Sequence, residues 1–305
     1  MVHDTDAEGQ ADVLRGLLYL ACPDAPTSAL NETAEAIAAR SAAQAPPMEG
    51  VPEAELLTVR RSAEDPPRNL AGALLAGALL ARVDLNGAQL PLADLSGAAL
   101  DDSRLVGADL GGADLSRAQL HNADLTDVNL NAANLADAQF SGAKLLHADL
   151  TDAVLTRARF VGTNLTGARL VRSNLSGALL THAFLVGANL SQASLNGGHL
   201  TGADLTRARL TGADLTRANL WDAVLLGADL REVDFGLANL RGVNIADADL
   251  TGARHFRLVS GITWDRYTQW PEGFAQRARE LSEEFEPGAY RVRGGRAPDR
   301  SPAPT

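Results

Sequence analysis

The residue types that most often carry out chemistry are few in this sequence, and their spacing does not suit a site. The histidines lie far apart, at His3, His121, His147, His182, His199 and His255. They do not show the short spacings that zinc ligands usually have. The one cysteine, Cys22, has no identifiable base and is expected to be a buried structural thiol. The sequence therefore predicts neither a metal centre nor a thiol nucleophile.

Carboxylate and amide side chains recur at regular intervals instead of forming an isolated pair. Examples are Asp94, Asp109, Asp124, Asn134 and Asn164. Catalysis by a general acid and a general base would need two groups in different environments, whereas a short polar residue repeated at one position is typical of turns. A glycine-rich phosphate loop and a Ser/His/Asp grouping are also missing. We therefore expect a protein that is not an enzyme and has no cofactor.

The composition indicates a repetitive interior. The chain has 305 residues, of which 46% are hydrophobic but only 4% aromatic, and its net charge is −11. An interior with so few aromatic residues has to be filled by repetition of Leu and Ala. The first ten residues lack the features of a signal peptide, and the longest apolar run, 70–80, is too short and too glycine-rich to span a membrane. We expect a cytoplasmic protein without membrane contact.

A period of five residues organises most of the chain. Every fifth residue from Leu70 to Leu250 is Leu, Phe or Ile, and the residue two positions before each of them is small, mostly Ala. Residues five apart on an α-helix would spiral around its axis, so this series cannot form one buried helical face. Short extended segments separated by turns keep both residues pointing inward. The period therefore predicts an all-β solenoid.

The repeated unit resembles the pentapeptide-repeat family, whose consensus is A-(D/N)-L-x-x. The segments ADLSG at 93–97, ANLAD at 133–137 and ADLTR at 203–207 match it closely. The resemblance implies a right-handed quadrilateral β-helix of about nine coils, with twenty residues in each coil. Residues twenty apart would lie above one another, so Phe140 and Phe160 should stack. The narrow interior of such a rod leaves no room for a small-molecule substrate.

The segments on either side of the repeat should cover its ends, because the ends of a solenoid expose unpaired strands. We expect an α-helical N-terminal segment and linker at 1–67, the β-helix at 68–254, a C-terminal cap at 255–290 and a disordered tail at 291–305. Within the cap, a helix is predicted from Pro271 to about Phe285, with Phe274, Ala278, Leu281 and Phe285 along one stripe.

Aromatic residues reappear where the repeat ends. The segment WDRYTQWPEGF at 264–274 resembles the sequence that follows the last coil in some family members. These residues are expected to cap the rod, and the alternative is a contact between two copies in a homodimer, as in gyrase-binding members. The candidate residues are Trp264, Tyr267, Trp270, Phe274, Leu281 and Phe285.

The charge is divided into bands along the repeat. Four basic and eleven acidic residues at 82–152 give −7, seven basic and two acidic residues at 157–217 give +5, and three basic and six acidic residues at 222–254 give −3. Resemblance to the family implies one alternative function, in which an acidic rod imitates DNA and binds DNA gyrase, giving fluoroquinolone resistance. The basic band has the wrong sign for a DNA-binding saddle. It is also too sparse for direct nucleic-acid binding.

One side of the coil carries apolar residues at positions that are usually polar. If each coil has twenty residues, the position after the central Leu on this side is apolar in every second coil. This makes the side a candidate surface for a partner or for self-association. Trp221, Val161 and Val171 are isolated exceptions elsewhere. The candidate residues are Val106, Leu146, Phe184, Val186, Val224 and Leu226. The favoured hypothesis is a rigid scaffold for protein–protein interaction whose partner is unknown.

Overall fold

A computed structural model describes residues 69–294, in which the chain winds around one axis with a coil of twenty residues. From Asn69 to Asp234, every fifth residue forms a parallel bridge with the residue twenty positions further on. The last bridge of this uninterrupted series joins Asp234 to Arg254. Because five-residue steps divide a twenty-residue coil into four sides, the rod is a four-sided β-helix, as the resemblance implies.

Each side of the coil is built in the same way, as residues 95–100 illustrate. The N–H of Ala98 donates to the carbonyl of Leu95 at 3.0 Å and closes a turn at 96–97. The second turn residue, Gly97, has a φ of 65°, as in a type II turn, where glycine is favoured. Ala98 and Leu100 then point inward, while Ala99 between them forms the bridge.

The interior consists of stacked columns of Leu and Ala. Nearly every residue at the two inward positions is buried, and burial of one leucine side chain contributes about 1.5–3 kcal/mol before the entropy of folding is subtracted. The rings of Phe140 and Phe160 lie 4.8 Å apart and are tilted by only 5°, which confirms that residues twenty apart stack.

Successive coils are joined by backbone hydrogen bonds, and the polar outward residues support the turns. The N–H of Leu90 donates to the carbonyl of Asp109 at 2.7 Å, and the N–H of Asp109 donates to the carbonyl of Ala88 at 2.9 Å. The carboxylate of Asp94 accepts the N–H of Ser96 at 3.0 Å. The repeated Asp and Asn residues thus stabilise the turns by accepting backbone hydrogen bonds, as expected from their regular spacing.

A small cap of mixed structure closes the C-terminal end of the rod. It contains β1 (Thr263–Asp265), α1 (Phe274–Leu281), β2 (Ser282–Glu286) and β3 (Ala289–Val292). The sheet order is β1-β3-β2, and both pairs of neighbouring strands are antiparallel. Thr263 of β1 also bridges Asn244 of the last coil, so the cap sheet continues one side of the rod.

An aromatic cluster fills the space between the last coil and the cap. Phe256 makes edge contacts with Phe235, Trp270 and Phe274, with ring centroids 5.6–6.1 Å apart. Trp264 stacks on Tyr290, with ring centroids 4.4 Å apart. These rings bury more surface than the Leu and Ala of a regular coil, which explains why the aromatic residues are concentrated here.

Three boundaries differ from the sequence-based expectations, and the first is the start of the cap helix, which lies at Phe274 and not at Pro271. The prediction that the cap helix runs to Phe285 is wrong, because α1 ends at Leu281 and residues 282–286 pair with β3. The prediction that a disordered tail begins at 291 is also wrong for its first two residues, which belong to β3. The expected helices within 1–67 and the part of the tail at 295–305 lie outside the described residues. No helix in 69–294 has the length and apolar character needed to cross a membrane.

Candidate partner-binding surfaces

The predicted apolar residues lie on one side of the rod. We call this side the apolar face: it comprises the bridge positions from 84 to 244 and the turn positions from 86 to 246, taken every twenty residues. Phe184 bridges Asn164 and Asp204, and Val224 is the next residue along the same ladder. The turn positions stack in the same way, through backbone hydrogen bonds between coils such as that from the N–H of Gly167 to the carbonyl of Val186.

The side chains of the apolar face are partly open to solvent. Phe184 is 50% exposed and Leu226 is 39% exposed. The half-buried members are Val106, Leu146, Val186 and Val224. Since coils are spaced by about 4.8 Å, apolar rows that recur in every second coil lie about 10 Å apart along the axis. Threonines occupy the turn position in three of the intervening coils, at 126, 166 and 206.

Two further exposed residues border this face. Trp221, which is 48% exposed, and Val161 occupy the turn by which the chain enters the apolar face. From the sequence, Trp221 and Val161 are assigned to other sides of the coil, because each turn residue is counted only with the side that precedes the turn. A turn residue forms the edge shared by two sides, and counting it on both would have found this extension.

Ion pairs between adjacent coils connect the acidic and basic bands. The guanidinium group of Arg157 donates two hydrogen bonds to Asp137, and that of Arg172 donates two to Asp152, at 2.6–2.8 Å. These hydrogen bonds hold the pKa of both carboxyl groups below the usual value. Part of the basic band therefore neutralises carboxylates of the acidic band instead of forming a separate positive surface.

Asp229 has the most strongly perturbed carboxyl group among these pairs. It accepts two hydrogen bonds from the guanidinium group of Arg231, at 2.8 and 2.6 Å, and one from the hydroxyl of Thr211 at 2.9 Å. The hydrogen bonds from Arg231 are the main reason that the pKa of Asp229 falls to about 2. This local pair follows from turn geometry, because the two residues are only two positions apart.

The structure separates the aromatic and apolar residues that were predicted for the cap or a dimer contact. Trp264 is buried, and Trp270 and Phe274 pack beside it or against Phe256 within the cap. The other three, Tyr267, Leu281 and Phe285, are exposed. The indole N–H of Trp264 also donates a buried hydrogen bond to Ser282 at 2.9 Å.

The described histidines do not converge on a common site. His255 contacts Asp234, with 2.7 Å between the imidazole Nδ1 and a carboxylate oxygen, and Arg254 approaches the other oxygen at 3.6 Å. Hydrogen bonding from His255 is the largest cause of a lowered pKa at Asp234. Within residues 69–294, no three His, Cys, Asp or Glu side chains are arranged to hold a metal ion. His3 and Cys22 lie outside the described residues.

Comparison with known proteins identifies the repeat. A family model described as pentapeptide repeats matches residues between 69 and 254 in eight copies. Similar solved structures include HetL of Nostoc sp. strain PCC 7120, a pentapeptide repeat protein involved in heterocyst differentiation regulation. It is 31% identical, with a TM-score of 0.40, and the match covers 67% of this chain and 89% of HetL.

Two other solved structures also resemble this chain. QnrB1, a plasmid-mediated fluoroquinolone resistance protein, is 22% identical with a TM-score of 0.31, and the match covers 66% of this chain and 91% of QnrB1. A pentapeptide repeat protein of the Arabidopsis thaliana thylakoid lumen is 33% identical with a TM-score of 0.26, and the match covers 36% of this chain and 69% of that protein. No curated protein matches the chain.

Proposed function

The chain belongs to the pentapeptide-repeat family, and from this premise we propose that it is a non-catalytic rod that binds a protein partner through its apolar face. The observation that carries the proposal is the alignment of Phe184, Val186, Val224 and Leu226 on one side, with Phe184 half exposed. Exposed apolar side chains gathered on one side of a molecule are typical of interaction surfaces, whereas scattered ones are not. Here two apolar rows are separated by one coil that carries Asp204 and Thr206.

The regular spacing of the coils favours a partner whose side chains also repeat at a fixed spacing along one line. Apolar rows about 10 Å apart match, within about 1 Å, the rise of two α-helical turns, which is about 10.8 Å. An amphipathic helix lying parallel to the rod could therefore place one side chain against each row. The uninterrupted bridges from Asn69 to Arg254 give every coil of the face the same backbone pairing.

The charge distribution favours this proposal over the alternative of a DNA mimic that binds gyrase. A DNA mimic needs anionic columns over much of its length. Here Asp137, Asp149 and Asp152 each pair with an arginine of the next coil. The other arginines at 157–217 form no ion pair within the described residues, and they add positive charge: Arg159, Arg207, Arg209 and Arg217.

The apolar face can be tested with a polar variant of the full chain. We expect Phe184→Ser/Val186→Thr/Leu226→Ser to lose the partner that the unmodified protein captures, because these changes remove apolar contact without changing inward positions. The captured protein should be identified by mass spectrometry, purified and tested for direct binding. A matched control, Leu92→Ser/Leu237→Ser, changes exposed leucines away from the apolar face and should bind normally.

Two results would contradict the proposal. One is equal binding of the partner by the apolar-face variant, with folding verified by circular dichroism. The other is inhibition of purified gyrase, or its protection from a fluoroquinolone, in a supercoiling assay, which would support the DNA-mimic alternative. Measuring the mass of the unmodified protein and the variant in solution shows whether the partner is a second copy of the chain.

A further inference from the structure

A groove lies where the last coil meets the cap. Its volume is about 420 Å³, within the range of sites for small molecules. Trp221 and Arg241 come from successive coils at one corner of the rod, whereas Arg291 comes from β3. The groove is therefore complete only when the cap sheet is in place. The other residues that line it are Asp222, Gly242, Ser260, Gly261 and Thr263.

The groove combines an exposed indole ring with two unpaired cations. Neither Arg241 nor Arg291 has an ion pair among the described residues, although several other arginines of the rod do. The guanidinium group of Arg291 is held above the ring of Phe285, 4.5 Å from its centroid. The hydroxyl groups of Ser260 and Thr263 also make no hydrogen bond within residues 69–294. The lining thus offers charged and neutral donors beside an aromatic surface.

We propose that this groove binds a small planar anion, an aromatic ring carrying a phosphate group, of the size of a nucleoside monophosphate. The ring would stack on the indole of Trp221, an interaction available to any flat aromatic ligand. The phosphate would accept hydrogen bonds from Arg241 and Arg291. Two guanidinium groups suit a dianionic phosphate better than they suit a carboxylate, which carries only one negative charge. This site goes beyond the proposed partner binding and does not depend on it.

Asp222 adds a negative charge to the groove and so limits which ligands it can bind. Its carboxylate lies against Gly242, where an added Cβ would be 1.9 Å from an Asp222 oxygen. One acidic and two basic groups leave the lining with a single net positive charge. Phosphate alone should therefore bind weakly, whereas a ring with an amino group can stack on Trp221 and also donate to Asp222. The groove should need both parts of the ligand.

The test is calorimetric titration of the full chain with AMP, adenosine and inorganic phosphate as separate probes. We expect AMP to bind at least about tenfold more tightly than either of the other probes. Equal binding of inorganic phosphate would overturn the stacking contribution, and equal binding of adenosine would overturn the phosphate contribution. Failure of AMP to saturate the protein at about 5 mM would overturn the proposal entirely.

Variants locate the binding. Trp221→Ala, Arg241→Gln and Arg291→Gln should each weaken AMP binding about fivefold or more, while all three side chains are exposed and their loss should leave the fold intact. Arg209→Gln, a change of an exposed arginine on another side, should bind AMP normally. The indole N–H NMR signal of Trp221, assigned by its loss in the variant, should shift with AMP. Unchanged affinity in the three groove variants would show that AMP binds elsewhere and would contradict the proposal.

Discussion

Three inward positions of the coil carry a hydroxyl group where most coils have alanine, and they differ in how that group is satisfied. Ser173 donates to the carbonyl of Leu170 at 2.7 Å, and Thr163 donates to the carbonyl of Phe140 at 2.6 Å. The hydroxyl of Ser103 is buried without a hydrogen-bond partner. A buried polar group without a partner costs about 1–3 kcal/mol.

We predict that Ser103→Ala raises the free energy of unfolding by about 1 kcal/mol, because it removes an unsatisfied hydroxyl and restores the usual inward residue. Chemical denaturation of the full chain measures this change. The matched control is Ser173→Ala, which removes a satisfied hydrogen bond and should leave stability unchanged or lower it by about 0.5–1.5 kcal/mol. An unchanged or lower free energy of unfolding in Ser103→Ala would contradict the prediction.

The sequence was sufficient to predict which residues point inward, but not this difference between two serines. The inward positions follow from the period of five, which assigns every Leu and Ala to the interior. Ser103 and Ser173 stand at equivalent positions of the five-residue repeat, each two residues before an inward leucine. Whether a hydroxyl reaches a carbonyl depends on its rotamer and on distances within the coil, which the pattern does not specify.

At the scale of elements, the cap shows how strand pairing prevails over a local helical pattern. Phe274, Ala278, Leu281 and Phe285 have the spacing of a helical stripe, yet the chain becomes extended at Ser282, where φ is −107° and ψ is 164°. Residues 282–286 gain hydrogen bonds from β3 that a longer helix would forgo. The sequence did contain a signal for this hairpin, since Pro287 and Gly288 are typical turn residues.

We predict that Ser282→Ala destabilises the cap by about 1–3 kcal/mol, because it leaves the buried indole N–H of Trp264 without its acceptor. Near-ultraviolet circular dichroism during denaturation reports on the cap, which contains Trp264 and Trp270. A double-mutant cycle provides the control: in a Trp264→Phe background, which has no indole N–H, the same serine change should cost little. Equal costs in the two backgrounds would show that the hydrogen bond contributes nothing.

At the scale of the whole molecule, the sequence predicts the β-helix well and its surfaces only in part. Each coil contacts its neighbours through the same inward residues, so the five-residue period is enough to predict a β-solenoid, and the resemblance to the family adds its four sides and right-handed winding. The apolar face could also be predicted, because its members recur every twenty residues at two neighbouring positions of the coil. The groove could not, since Arg291 is about fifty residues from Arg241 in sequence and joins it only through pairing of β3 with β1.

The ion pairs along the rod should make its stability depend on acid pH. Hydrogen bonds from arginine lower the pKa values of Asp137, Asp152 and Asp229 in the folded protein, to about 2 for Asp229. In the unfolded chain these groups take up protons near the ordinary value of about 3.9. The folded state therefore binds fewer protons than the unfolded state between these values, and its stabilisation is present above pH 4 and is lost as the pH falls toward 2.

We predict that the melting temperature changes little from pH 7 to 5 and then falls between pH 4 and 2. A variant with Asp137→Asn, Asp152→Asn and Asp229→Asn should melt at a lower temperature at pH 7 but lose less on acidification, because its neutral side chains cannot take up these protons. Asp127→Asn is the control, since this exposed carboxylate has no ion pair among the described residues, and its curve should run parallel to that of the unmodified protein. If the triple variant also gave a parallel curve, the inter-coil and local ion pairs would not be the source of the acid sensitivity.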